Sequence, residues 1–523
     1  MTRVRFAPSP TGALHIGGVR TALYNYLFAK QQGGDFLLRV EDTDQTRFVP
    51  GAEEYIIAAL KWCGVLPNEG LGFGDGTHAP YRQSDRMAIY KKYADELIAK
   101  GWAYYAFDTP DELTAKRSEK EAKKEMFAYN AVTRTAMRNS LTLPADEVAQ
   151  LLAENAPHVV RFKIPEGDGD VRFSDLIRGS VSYAFAQLDD KVLLKGDGLP
   201  TYHLAHLVDD YLMQITHVIR GEEWLNSAPL HVLIYRAMDW KEPIFAHLPL
   251  IMRPDGNGKL SKRDGDRLGI PVFPLHFEHP VTGETATGYD ETGFLPEAVI
   301  NFMALFGWAP GDDREIMSLD DMVAAFSFEK INKAGAKFDY AKAKWINQQY
   351  ILKMPLDELT TRVLPFLQKN TNSPKLNDLK YTTEVVRLLQ ERCVLLTEFW
   401  TQGTYFFEGV KTYDEATVAK KWKTENSAKF DELIDFVTDI DSFTAANFEA
   451  RVKSFIASSG LKMGDVMPML RIALTGRMSG PSVADVAALF GRVETQKRLS
   501  AAFKRFNKVV EPEKPIEIND LDK

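Results

Sequence analysis

Residues 3–40 constrain this chain more than any other stretch. Arg3-Val4-Arg5-Phe6 alternates as a short strand, and Phe36-Leu37-Leu38-Arg39-Val40 reads as a second one after Gly34. Between them Val19, Leu23, Tyr26, Leu27 and Lys30 recur at helical spacing, behind the pair Gly17-Gly18. Strand, helix and strand in that order make a βαβ unit, which demands a parallel sheet crossed by a helix. The glycine pair opens the helix, so its free N–H groups and the positive end of its dipole are expected to favour an anion. His15 stands one step outside that mouth.

Two later segments converge on the same chemistry. Asp197 to Met213 reads as a helix, and Ile215 to Arg220 as a strand ending on an arginine. Ligands of open α/β sheets sit off the carboxyl ends of the strands, so Arg5 and Arg220 are expected to line one crevice, a pair suited to a substrate with two carboxylates. His203, His206, Asp209 and Asp210 share a face of that helix. A metal site would use such spacing, but a half-buried helix with its polar side toward substrate explains it without an ion, so no metal site is expected. The third segment, Met252 to Arg263, is a glycine-rich turn that delivers Lys259 and Lys262 three residues apart with Ser261 between them, a mobile loop able to set ammonium groups on phosphates.

Composition narrows the setting. Of 523 residues, 45% are hydrophobic and 26% charged, an ordinary globular balance, and the length suggests roughly three to five domains. Cys63 and Cys393 alone are too few for a disulfide framework or a four-thiolate zinc site, which points to a reducing cytosol. No signal-peptide core and no membrane-length apolar run is present. The net charge of −8 disfavours a nucleic-acid partner as an average, yet an enzyme gripping one RNA needs a basic face rather than a basic total. No G-x-x-x-x-G-K-[ST] loop occurs, and Gly74 to Ala79 follows no strand and runs into Pro80, so it fails as a dinucleotide fingerprint.

The string P-S-P-T-G-A-L-H-I-G-G resembles the first signature of class I aminoacyl-tRNA synthetases in its glutamyl form, and K-L-S-K-R resembles the second. The likeness to bacterial-type glutamyl-tRNA synthetases extends over almost the whole chain, through Arg39-Val40-Glu41-Asp42-Thr43-Asp44, Tyr81-Arg82-Gln83-Ser84-Asp85-Arg86, Lys344-Trp345-Ile346-Asn347 and Leu470 to Gly476. It implies an α/β fold: a Rossmann-type parallel-sheet catalytic domain (1–81 and 196–255) interrupted by an α+β acceptor-end-binding insert (82–195). A loop and stem-contact domain (256–335), an all-helical anticodon-binding region (336–510) and a flexible tail (511–523) complete the expected layout.

The resemblance also assigns residues. Arg5, Ala7, Ser9, Glu41, Tyr202, His206 and Arg220 would bind L-glutamate. Ser9, Thr11, His15, Gly17, Gly18, Glu223, Lys259, Ser261, Lys262 and Arg263 would bind ATP, with His15, Lys259 and Lys262 catalytic. The implied reaction joins L-glutamate to tRNA(Glu) through glutamyl-adenylate formed from Mg-ATP, in a monomeric cytoplasmic enzyme; acceptance of tRNA(Gln) stays open. Arg5 is expected to read the side-chain carboxylate and exclude glutamine.

This chain departs from the family at several points. Gly18 replaces the second histidine of the signature, and His206 stands where Asn is common. Gly101 to Asp108 contains no cysteine, so the zinc cluster of many members is not expected. The connection after Arg263, about 264–291, is longer than usual and reads as a surface insertion. For RNA contact the candidates are the basic run Lys116 to Lys124 with Arg134 and Arg138, then Lys420, Lys421, Lys423, Lys497, Arg498, Lys504 and Arg505.

Overall fold

The computed structural model describes residues 1–510; the expected tail at 511–523 lies outside the described residues. The chain divides into two compact units, Met1–Ile346 and Asn347–Lys523. In the first, β1 (Arg3–Phe6), α1 (Ile16–Gln31) and β2 (Asp35–Leu38) form the expected βαβ unit, with β1 and β2 parallel from Arg3 opposite Asp35 to Phe6 opposite Leu38. Ile16, Val19, Leu23 and Leu27 of α1 are buried completely or nearly so. Each contributes about 1.5–3 kcal/mol by leaving water, and this fixes the helix on the sheet.

A second sheet carries the other half of the site. Its strand order is Gly179–Ala184, β3 (Asp170–Asp175), β5 (Ile244–Leu248), β4 (His217–Gly221), with β3, β5 and β4 parallel. α2 (Tyr202–Leu212) leads into β4. The amide of Thr216 donates to the Arg3 carbonyl at 2.9 Å, so β1 and β4 start side by side and both open at their carboxyl ends onto one cavity.

Between the two halves, Ala103–Ala106, Val159–Phe162 and Val192–Leu194 form a small antiparallel sheet. Phe162 and Leu193 there share one apolar core with Leu204 and Leu207 of α2 and Phe245 of β5. The basic run sits on the exposed helix Pro110–Ala122, where Glu119 pairs with Lys116 and Lys123, and Lys120 pairs with Glu125. One expectation is overturned here. Arg134 does not face solvent: it is 2% exposed and donates to Asp190 at 3.1 Å, to the Ile164 carbonyl at 2.9 Å and to Glu166 at 2.6 Å. The buried Asp190 carboxylate is held by this guanidinium together with the Tyr104 hydroxyl at 2.6 Å and the Ile164 amide at 3.0 Å, so Arg134 is a structural residue. Arg138 is half exposed.

Among the described residues the regular elements of the second unit are helices, from Leu356–Asn370 to the long Val483–Val510, which is kinked where Gly491 adopts a positive φ of 76°. The helical region does not begin at 336 as expected: Ala336–Lys337 is a strand paired with Ile251–Met252 in the first unit. Arg498 is likewise withdrawn from RNA contact. It is 7% exposed, donates to the Leu474 carbonyl at 3.0 Å and lies over the Phe490 ring. Lys420, Lys423, Lys497, Lys504 and Arg505 are exposed, and Lys421 is partly so.

Candidate active site

A cavity of about 520 Å³ opens where the carboxyl ends of β1 and β4 meet the amino terminus of α1. Arg5, Ala7, Ser9 and Thr11 reach it from β1 and the turn that follows, and His15, Gly17 and Gly18 from the start of α1. Glu41, Tyr202, His206, Arg220 and Glu223 line the opposite wall, and Lys259 and Ser261 border it from the loop. Lys262 and Arg263 are not among its lining residues; Lys262 Nζ donates instead to Glu284 at 3.3 Å.

At the α1 end the structure changes one detail of the sequence reading. The first four N–H groups of the helix are not free. Ile16 donates to the Val272 carbonyl at 3.0 Å, Gly17 to His15 Nδ1 at 3.1 Å, and Gly18 and Val19 to the His15 carbonyl. What faces the cavity is His15 itself, the N-cap residue. Burial, with Lys259 nearby, lowers its pKa to about 4, so the ring is neutral at physiological pH. Nδ1 is an acceptor, so the single ring proton sits on Nε2, a buried atom with no hydrogen-bond partner among the described residues. The helix end thus supplies a dipole and one oriented N–H donor. A Cβ at Gly18 would lie 2.5 Å from Leu14 Cδ1, so a side chain there would require the Leu14 methyl to move.

The segment after the lysine loop is also closer to the chemistry than a surface insertion would be. Val272 and Phe273 are buried, Phe273 packs edge-on against the His15 ring, and Tyr55 donates to the Leu275 carbonyl at 2.6 Å. Only the short hairpin Phe277–Glu278 with Thr285–Ala286 projects beyond, and it carries Glu284.

The two arginines expected to share the crevice do share it, in contrasting states. Arg5 is 2% exposed and grips Asp210 with two N–H groups, at 3.0 and 3.1 Å, while its Nη2 also meets His206 Nε2 at 3.0 Å. Arg39 donates to Asp210 at 2.7 Å and to Glu41 at 2.8 Å, and Arg86 donates to Asp209 at 2.7 Å. Burial alone would raise the Asp210 carboxyl, but the Arg5 and Arg39 guanidiniums hold it far below the usual range, and the Glu41 carboxyl is held at about 2 by the hydrogen bond from His206 and by Arg39 against the same burial. His206 Nδ1 donates to Glu41 at 2.8 Å and the ring stays neutral through burial. The polar face of α2 is therefore spent inside the protein on a balanced ion network. Among the described residues no group of three or more His, Cys, Asp or Glu is arranged to hold a metal.

Arg220, 6% exposed, has no such partner. Its Nε donates to His247 Nε2 at 3.0 Å, Nη1 to the Tyr202 hydroxyl at 2.9 Å and to His231 Nδ1 at 3.5 Å, and Nη2 to the Trp224 carbonyl at 3.3 Å. All four acceptors are neutral, and among the described residues no carboxylate forms an ion pair with it. A buried cation with neutral contacts alone retains an unmet demand for an anion.

Known proteins share this sequence and fold. Residues 1–345 match the model of the class I tRNA synthetase (E and Q) catalytic domain, and residues 358–503 that of an anticodon binding domain. The glutamate–tRNA ligase of Phocaeicola vulgatus is 54% identical over 503 residues, covering 96% of this chain and 98% of the relative, and that of Porphyromonas gingivalis is 53% identical at 96% and 97% coverage. A crystal structure of a glutamate tRNA ligase from Elizabethkingia meningosepticum in complex with its amino acid superposes with a TM-score of 0.92 at 47% identity, over 97% of this chain and 99% of that one. The chain belongs to the glutamate–tRNA ligase family. His15 and Lys259 border one cavity, while Lys262 is held outside it. Lys259 Nζ itself donates to Glu223 at 2.6 Å.

Several residues that shape this glutamate–tRNA ligase site carried no signal in motif reading. Asp175, His247, Trp224 and Phe273 are scattered over the chain and meet only in the fold. A histidine inside the apolar run Ile244–Leu248 was the one visible hint, since a polar ring in a buried strand must have a partner.

Proposed function

We propose that this cavity joins L-glutamate to tRNA(Glu) in two steps, with Arg220 rather than Arg5 reading the side-chain carboxylate. The observation that carries the reading is Arg220: a buried guanidinium held open by neutral acceptors, in the same cavity as the unpartnered Nε2–H of His15. Arg5 has its charge met by Asp210, so it serves the α-carboxylate side as a shaped wall with one guanidinium edge to spare. Tyr202, kept protonated by burial that pushes its pKa up to about 12, accepts from Arg220 and keeps its own proton for the same carboxylate. Glutamine would leave Arg220 unpaired and desolvated, a mismatch able to discriminate roughly 10⁴-fold.

In the first step the α-carboxylate of glutamate attacks the α-phosphate of ATP and diphosphate leaves. In the second, a ribose hydroxyl of the terminal adenosine attacks the adenylate carbonyl and AMP leaves. No protein nucleophile is required; alignment and charge placement do the work. His15 Nε2–H and Lys259 hold phosphate oxygens, and Lys262 joins them once it leaves Glu284. Magnesium would ride on the ATP phosphates and water, as it does where no protein cage exists. The reading extends to a monomeric cytoplasmic enzyme in which residues 82–195 hold the acceptor end and 336–510 the anticodon. Aminoacylation of purified tRNA(Glu) and tRNA(Gln) with radiolabelled glutamate, with Lys262→Ala as control, tests it. Charging of tRNA(Glu) is expected; charging of neither tRNA sinks the reading, and charging of both replaces strict specificity by a relaxed one.

A further inference from the structure

Three adjacent parallel strands each place one polar side chain at the carboxyl end of the second sheet. Asp175 is the last residue of β3, His247 stands on β5, and Arg220 on β4 directly opposite His247 in register. All three are buried, at 4%, 0% and 6% exposure. Asp175 is fixed first: its Oδ1 accepts from the amides of Ile177 at 2.9 Å and Arg178 at 2.8 Å. Its Oδ2 then accepts from the His247 amide at 3.1 Å and from His247 Nδ1 at 2.7 Å. With the ring proton on Nδ1, Nε2 offers a lone pair, and Arg220 Nε donates to it at 3.0 Å.

We infer that Asp175 and His247 are positioning residues for glutamate recognition, a carboxylate–imidazole pair that aims the Arg220 guanidinium at the substrate carboxylate without neutralising it. The inference rests on the functional reading above. Its logic is one of charge placement. A carboxylate in direct contact with Arg220 would orient it and cancel it, as Asp210 does to Arg5. An imidazole between them transmits the orientation while presenting a neutral acceptor. The device works only while the ring holds a single proton and holds it on Nδ1: a proton on Nε2 would face the Arg220 N–H. Burial lowers the His247 pKa to about 4, which keeps the ring neutral, and the Asp175 carboxylate selects the tautomer. Neither residue lines the cavity, so both act through Arg220.

The test is steady-state aminoacylation of tRNA(Glu) by the full chain and by His247→Leu, His247→Gln and Asp175→Asn, with thermal unfolding of each. His247→Leu removes the acceptor, and its glutamate KM is expected to rise about tenfold or more while kcat and the ATP KM stay within about threefold. His247→Gln restores a neutral acceptor and should bring the glutamate KM back to within about threefold of the parent. Asp175→Asn frees the tautomer and should fall between them; if His247→Leu does not fold, the contrast between His247→Gln and Asp175→Asn carries the test. The inference is overturned if His247→Leu or Asp175→Asn leaves the glutamate KM within twofold, or if glutamate and ATP parameters fall together and glutamine at 247 rescues nothing. Failure of the parent chain to charge tRNA would instead overturn the functional reading, and glutamate binding measured by calorimetry on the same variants would still decide whether His247 governs Arg220.

Discussion

His15→Asn separates two jobs that one imidazole performs. The Nδ1 job is structural: it caps α1 by accepting from Gly17, and asparagine is among the best residues for that role. The Nε2–H job is chemical: it is the unpartnered donor of a ring that lines the cavity, and the shorter amide does not extend as far. Replacing the ring by asparagine therefore should cost little stability, whereas His15→Ala gives up the cap as well, at about 1 kcal/mol. Loss of one preorganised donor to a charged transition state costs about 2.7–4 kcal/mol, or about 10²–10³ in kcat. Both variants should show that fall in single-turnover tRNA charging, with nearly unchanged glutamate affinity because Arg220 lies on the other wall. Denaturant titration supplies the second reading, in which only the alanine variant should lose stability. An asparagine variant that charges tRNA within tenfold of the parent would refute the assignment of the ring proton to Nε2 and of that atom to phosphate.

Three further outcomes follow from the geometry. Stability should fall as the pH drops from about 6.5 toward 4, because His15, His203 and His247, all lowered to about 4 mainly by burial, bind protons in the unfolded chain before they do so in the folded one. Urea midpoints between pH 7 and 5 check this, and a flat profile contradicts it. Arg134→Met should destabilise the protein by about 3–5 kcal/mol by stranding Asp190, with no change in the salt dependence of tRNA binding; a weaker salt slope in a fully stable variant would return Arg134 to the RNA surface. Glu284→Gln removes the partner of Lys262, and since partly exposed pairs contribute about 0–1 kcal/mol, the ATP KM should fall by no more than about fivefold. A rise in ATP KM would mean that Glu284 helps binding.

The βαβ unit was legible because its periodicities are local, and so was the meeting of His15 with Lys259, because both belong to continuous motifs. The helical second unit was equally plain from apolar residues such as Val385, Val386, Leu389 and Phe399, all buried. What escaped was the state of each charged group. Arg5, Arg134 and Arg498 look alike in sequence to Arg220, Arg138 and Lys497; only the fold shows that the first three are buried against their partners, brought from up to 205 residues away in the case of Asp210. Connectivity across strands is equally silent, since nothing in Asp175 or His247 announces that β3, β5 and β4 lie side by side. The tight amide account at the head of α1 was missed for a similar reason, as Val272 comes from far along the chain.

That bond between the Ile16 amide and the Val272 carbonyl has a mechanical meaning. The lysine loop leaves a strand pinned at Met252 opposite Lys337 and is clamped again at Val272 against the first turn of α1. Between those ends the Leu260 amide donates to the Ile251 carbonyl at 2.8 Å and Lys262 opens the short helix Lys262–Leu268, so the segment is fastened at both ends and held within. The far anchor is the turn that holds His15. Lys262 and His15 are thereby joined through one piece of backbone, so on the proposed reading a nucleotide that drew in the lysine would act on the same segment that seats the histidine.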